Sequence, residues 1–178
     1  MENQILGYKS PLYGRRTSQL KALPFNYIEA GKFVPAYTNA EKAIVFGLSG
    51  GIADYLACFD DGKPLAENIV NLFLSTGGRL FEKPSNLLKQ ELREPARYND
   101  ILYFLSTGTT KLSELASKMC VPSGSQDHYL KNLIDLGLIE RKTPVLNRKT
   151  KRPLYLIADT MFLFWYRFVQ TNYRMQMA

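Results

Sequence analysis

Histidine and cysteine are nearly missing from this chain. His128 stands alone, and Cys58 and Cys120 lie 62 positions apart, in no metal or redox spacing. Zinc is thereby excluded, and a serine or cysteine nucleophile has no base to call on except His128, which falls on a predicted exposed face. Carboxylates are scattered, with Asp60-Asp61 sitting in a turn signal ahead of Gly62. No catalytic site is expected. Long apolar stretches are also absent: the longest, Met161 to Tyr166, is far short of the ~20 residues a membrane helix needs. The opening Met-Glu-Asn-Gln lacks the basic and apolar regions of a signal peptide. A reduced, cytoplasmic protein with no membrane partner follows as the expectation. Tandem repeats, low-complexity tracts and long linkers are absent as well.

What the chain does have is apolar side chains in helical rhythm and an uneven positive charge. With 46% apolar and 22% charged residues in 178, it can bury a core without staples. Of the formal +7, a surplus of five lies between Pro95 and Ile157, where ten Lys and Arg residues face five acids. Charge concentrated in this way favours a polyanion partner, although basic surfaces also serve solubility.

That same segment carries the most legible architecture. Leu112, Leu115, Ala116 and Met119 recur at three and four residues, on one face of a short helix that Cys120-Val121-Pro122 ends. A second helix carries Tyr129, Leu130, Leu133, Ile134 and Leu136 up to Gly137, a natural residue for the position just past a helix end. Leu138-Ile139 and Leu154 to Ile157 read as strands. Between them, Arg141 to Arg152 contains no acid. A helix pair followed by a basic hairpin is the pattern of a winged helix, in which the second helix enters a major groove and the wing touches phosphate.

Upstream, short helices are separated by clear punctuation. Asn26 with Glu29, and Thr38 with Glu41, are spaced as reciprocal caps, the first for a helix through Val34. Gly50-Gly51 interrupts, Pro64 suits the first turn of a helix through Leu74, and Gly77-Gly78 stops it. Leu87, Leu88 and Leu92 mark a further helix, Pro95 opens the next, and a last helix follows Asp159. Arg16 to Pro24 alternates weakly, like one strand whose partners are elsewhere, so it pairs with something or stays mobile.

Four motifs in order carry a family resemblance: Ser10-Pro-Leu-Tyr-Gly-Arg-Arg-Thr17, Phe46-Gly-Leu-Ser-Gly-Gly-Ile-Ala-Asp-Tyr-Leu56, Leu88-Lys-Gln-Glu-Leu-Arg-Glu-Pro-Ala96 and Phe162-Leu-Phe-Trp-Tyr-Arg-Phe-Val169. Together they resemble archaeal and bacterial ATPases of the AAA+/STAND lineage with a DUF234-type C-terminal region. The resemblance implies a nucleotide-binding core followed by a helical lid, a winged helix and often a nuclease-like domain. This sequence has no Gly-x-x-x-x-Gly-Lys-Ser/Thr loop and no strand ending in acids for magnesium. Ala53 stands where the family's Gly-Gly-Ile-Pro motif has proline, and little chain follows Phe168. Only the end of the core, the lid and the winged helix are therefore implied. The chain reads as a fragment, with ATP the cofactor of the full-length family and none expected here.

The resulting expectation is a mainly α fold: a core tail at 1–24, a helical lid-like region at 25–93, a winged helix-turn-helix with a small β-hairpin at 94–157, and an aromatic helix at 158–178. For DNA contact the candidates are Ser125, Gln126, His128, Lys131 and Asn132 on the second helix and Arg148, Lys149, Lys151 and Arg152 on the wing. Asp127 and Asp135 oppose that reading by repelling phosphate, and a solvated helix face used for protein contacts stands beside it. In the family, Arg15, Arg16, Gly50 and Gly51 lie near the nucleotide; here they read more simply as a solvated pair and a helix break. Trp165, Tyr166 and Phe168 fit core packing at helical spacing better than a stacking platform for single strands. The partners this leaves open are double-stranded DNA, a P-loop ATPase core, or a second copy joined through residues 16–24.

Overall fold

The computed structural model describes residues 22–143 and 153–171. Arg15, Arg16, Arg148, Lys149, Lys151 and Arg152 lie outside that range, as does most of the strand expected at 16–24; residues 22–24 have no regular structure. The fold is mainly helical, with one two-stranded antiparallel sheet. In chain order it contains α1 (Tyr27–Ala30) with a 3-10 turn (Gly31–Phe33), α2 (Asn39–Ser49), α3 (Ala53–Leu56) and α4 (Leu65–Ile69), which runs into a π-helical turn (Val70–Leu74). Then come α5 (Lys83–Glu91), α6 (Pro95–Ser106), α7 (Leu112–Lys118), a 3-10 turn (Ser123–Gln126) and α8 (Asp127–Asp135). Strands β1 (Ile139–Lys142) and β2 (Leu154–Ile157) and helix α9 (Thr160–Phe164), continued by a π-helical turn (Trp165–Val169), complete it.

Local chemistry sets most of the boundaries. Both expected capping boxes form. Asn26 Oδ1 accepts from the Glu29 N–H at 3.0 Å while the Glu29 carboxylate takes the Asn26 N–H at 3.1 Å. Thr38 and Glu41 repeat the exchange, and Thr38's hydrogen bonds hold the Glu41 carboxyl below its usual range. The first helix ends at Ala30 rather than Val34, because its last turn tightens to 3-10 geometry. Helix α8 closes as a Schellman motif. The Leu138 N–H reaches the Leu133 carbonyl at 2.9 Å, the Gly137 N–H reaches Ile134, and Gly137 takes φ 73°.

Helix α7 ends with the same hydrogen-bond pattern, but on Cys120, whose φ is 53°. A side chain in the left-handed region costs roughly 1–2 kcal/mol. Cys120 is exposed, so Cys120→Gly should raise stability by about 1 kcal/mol, part of the gain being lost to glycine's greater freedom in the unfolded chain. A urea midpoint that stays or falls would count against this account of the turn.

One contiguous core runs the length of the described fold, from Ala30 and Val34 through Leu56, Phe73, Leu88, Ile101 and Leu133 to Phe162 and Tyr166. The π-helical turn that continues α9 ties three other segments to it. Trp165 Nε1 donates to the Phe81 carbonyl at 2.6 Å, Tyr166 Oη to Asn99 Oδ1 at 3.0 Å, and Arg167 Nε to the Ser106 carbonyl at 2.8 Å. Trp165 and Tyr166 are buried; Phe168 is exposed at the edge, its ring 5.1 Å from Phe164. Among the described residues no helix is long and apolar enough to cross a membrane.

Candidate nucleic-acid interface

Helices α6, α7 and α8 and the hairpin form one packed unit. The sheet pairs Ile139 with Ile157 and Lys142 with Leu154, and the first residues of β2 are tied to the start of α7. There Lys111 bridges to Leu154, and the Tyr155 N–H donates to the Thr110 carbonyl at 2.8 Å. The order of helix, turn, helix and hairpin is the one the apolar spacing predicts. Residues 144–152, between the strands, lie outside the description.

The structure spreads the five candidates of the second helix over different environments. His128 and Lys131 are exposed. Ser125 is half-buried and donates to the Pro122 carbonyl at 2.7 Å. Asn132 Nδ2 donates to Tyr98 Oη at 2.7 Å, so its amide is already engaged by α6. Gln126 is fully buried, and neither its Oε1 nor its Nε2 has a hydrogen-bond partner among the described residues. Its assignment to the open face is corrected here: a 3-10 turn leads into α8, and at three residues per turn the helical phase shifts and carries Gln126 inward. Asp127 and Asp135 are exposed, placing acid at both ends of the open face.

Cations around the unit are unequally committed. Lys111 Nζ pairs with Glu114 and Lys142 Nζ with Glu140, each at 2.7 Å; all four side chains are about half exposed, so the pairs add little stability. Lys118 Nζ donates to Thr109 Oγ1 at 2.8 Å and lies 5.7 Å from the Phe104 ring centre. Arg141 is exposed on β1.

Sequence reasoning missed Arg97 and the group that holds it. The Arg97 guanidinium sits 5.7 Å from the ring centre of Tyr129 on α8. His128, with ring centres 3.7 Å apart, and Tyr98, edge-on at 5.0 Å, also lie against that ring. The Tyr129 hydroxyl donates to the carboxylate of Glu94, which raises the tyrosine's pKa above its usual range. Glu94 itself has φ 60° and ψ 52° at the start of α6. A left-handed residue ahead of a proline carries no signal in composition or periodicity.

Gly50 and Gly51 have structural duties. Gly50 caps α2 with φ 59°. Gly51 has φ 76°, and a Cβ there would fall 2.0 Å from the Phe25 carbonyl oxygen, while the Phe25 N–H donates to the Gly51 carbonyl at 2.8 Å. No cluster of His, Cys, Asp or Glu suited to a metal occurs among the described residues.

Comparison with known proteins shows what the chain is similar to. No protein-family model matches the chain. MJECL04 of Methanocaldococcus jannaschii, described as an uncharacterized protein, is 31% identical over 173 residues, covering 97% of this chain and 39% of its own length. The fold resembles that of a Walker-type ATPase. That protein is PABY2304 of Pyrococcus abyssi, with a TM-score of 0.57 and 21% identity over 92% of this chain and 48% of the ATPase. The chain thus spans less than half the length of either.

Proposed function

We propose that this chain is the lid-like and winged-helix part of a nucleotide-hydrolysing protein of the AAA+/STAND lineage, non-catalytic in itself, and that it holds double-stranded DNA with little regard to sequence. Likeness of fold to a Walker-type ATPase over 92% of the chain supports the first half of the reading. The hairpin carries the second. Strands β1 and β2 follow α8 as an antiparallel pair. The chain from Arg141 to Arg152 holds six cations and no acid. Exposed His128 and Lys131 add to it, whereas Asp127 and Asp135 hinder base reading by α8, which suits contact with phosphate rather than sequence.

Titrating a labelled duplex at rising salt tests this. Log K should fall against log salt with a slope of about −4 to −5. Changing Arg148, Lys149, Lys151 and Arg152 together to alanine should flatten it to about −1, at roughly 0.9 per lost phosphate contact. Absence of binding at ~50 mM salt, where these contacts are strongest, rejects the DNA reading.

A second reading is favoured by the two exposed acids and by the inward turn of Gln126. In it the unit makes protein contacts and regulates an ATP-binding P-loop core. Leu23, Phe25, Ile28, Phe33 and Ile44 are exposed apolar side chains close in sequence, suited to such docking. Co-purification with a Walker-type core, lost on Ile28→Glu, supports it.

A further inference from the structure

Among the cations of α6 to β1, Arg97 is held over a ring yet makes no ion pair with the described residues. Glu94 lies one turn before it and Asp100 one turn after, both natural partners at three residues' spacing. No carboxylate of the described residues makes a salt bridge with it, although Lys111 and Lys142 are both paired by near neighbours. Two features explain this. Tyr129 takes the Glu94 carboxylate with its hydroxyl, and its ring provides the face over which the guanidinium lies. The contact is made beside exposed His128, one turn before exposed Lys131. A planar, permanently charged group fixed over an aromatic ring and open to solvent is pre-organised for a phosphate oxygen.

We infer that Arg97 of α6 is a phosphate contact of this protein on duplex DNA, and that the Glu94–Tyr129 hydrogen bond positions it by holding the Glu94 carboxylate on the tyrosine rather than on the guanidinium. The inference rests on the DNA reading above and adds to it a second contact line, on the flank of α8 rather than on the hairpin. Arg97 touches the ligand; Glu94 and Tyr129 act only through it.

Fluorescence anisotropy with the full chain and a labelled mixed-sequence duplex, from about 50 to 300 mM salt, separates the alternatives. Arg97→Ala should shallow the salt slope by about 0.9 and weaken binding about eightfold at 0.1 M salt. Tyr129→Phe removes no charge, but it frees the Glu94 carboxylate to pair with Arg97, and should weaken binding to a similar degree. Adding Glu94→Gln to Tyr129→Phe should restore wild-type affinity, which simple damage to the fold cannot do. If Arg97→Ala binds like the wild type while the hairpin variant loses affinity, the inference is overturned and the DNA reading survives. If Tyr129→Phe keeps full affinity, or stays weak after Glu94→Gln is added, the positioning role is overturned. A wild-type chain that does not bind at the lowest salt removes both.

Discussion

Gly51→Ala should cost about 2–3 kcal/mol, read as a fall of several degrees in thermal midpoint. Two terms build that figure. Gly51 has φ 76°, and an alanine held there costs roughly 1–2 kcal/mol. Its Cβ would also lie 2.0 Å from a backbone oxygen of Phe25, a distance no rotamer can relieve. The segment ahead of α1 must then move away, giving up the 2.8 Å hydrogen bond from Phe25 N–H to the Gly51 carbonyl, which adds about 0.5–1.5 kcal/mol. Gly50→Ala is the control. Its φ is 59°, but its Cβ would meet Thr160 Oγ1 at 3.0 Å, the end of a side chain that can rotate. It should lose only the conformational part, about 1–2 kcal/mol. Equal losses at the two glycines would mean that the close approach of Phe25 contributes nothing. The Gly-Gly pair needs no nucleotide to account for it: one residue ends α2 and the other admits a neighbouring backbone.

Features decided within one turn of chain were legible beforehand. Asn26 with Glu29, Thr38 with Glu41, and Gly137 after an apolar helix each act on atoms three to five residues away, and each formed as spaced. The second strand was readable as the short apolar run Leu154 to Ile157, whereas the first, expected at Leu138-Ile139, runs from Ile139 into the polar Glu140 to Lys142. Gln126 was not, because its direction depends on a 3-10 turn whose phase no apolar periodicity announces. Nor were the π-helical turns that extend α4 and α9, which the apolar spacing does not distinguish from continued α-helix. Arg97 went unnoticed because its partner Tyr129 is far away in sequence, and the Glu94 carboxylate that serves that tyrosine is 35 residues from it. Charge surplus along a segment can be summed from sequence; which charges are already spent cannot.

Asp159 offers the second large effect, with a pH signature. Its Oδ1 caps α9 by accepting from the Phe162 N–H at 3.1 Å, and its Oδ2 accepts from Tyr55 Oη of α3 at 3.1 Å. Burial raises the Asp159 pKa, only partly countered by hydrogen bonds from Phe162, Tyr55 and Met161; burial also raises that of Tyr55. Asp159→Ala removes the cap, about 0.5–2 kcal/mol, and strands the Tyr55 hydroxyl in the core, about 1–3 kcal/mol. Relief from burying a carboxylate offsets part of this, so a net loss of about 2–3 kcal/mol is expected at neutral pH. Asp159→Asn keeps an oxygen for the cap and an amide that can donate to Tyr55, so it should be close to neutral or stabilising there. The sign follows from linkage: an acid whose folded pKa is raised binds more protons folded than unfolded, so its contribution is full below the unfolded pKa and is lost as pH rises through the folded one. Asp54, whose pKa is lowered first by its hydrogen bond from Lys83, runs the opposite way and masks the trend in the wild type alone. The difference between wild type and Asp159→Asn cancels it. Urea midpoints followed from about pH 3 to 8 should therefore favour the wild type most at the acid end and move toward Asp159→Asn as pH rises. A difference that stays flat across that range would show that the carboxylate titrates alike in the folded and unfolded chain, and the buried link between α3 and α9 would have to be rebuilt without a raised pKa.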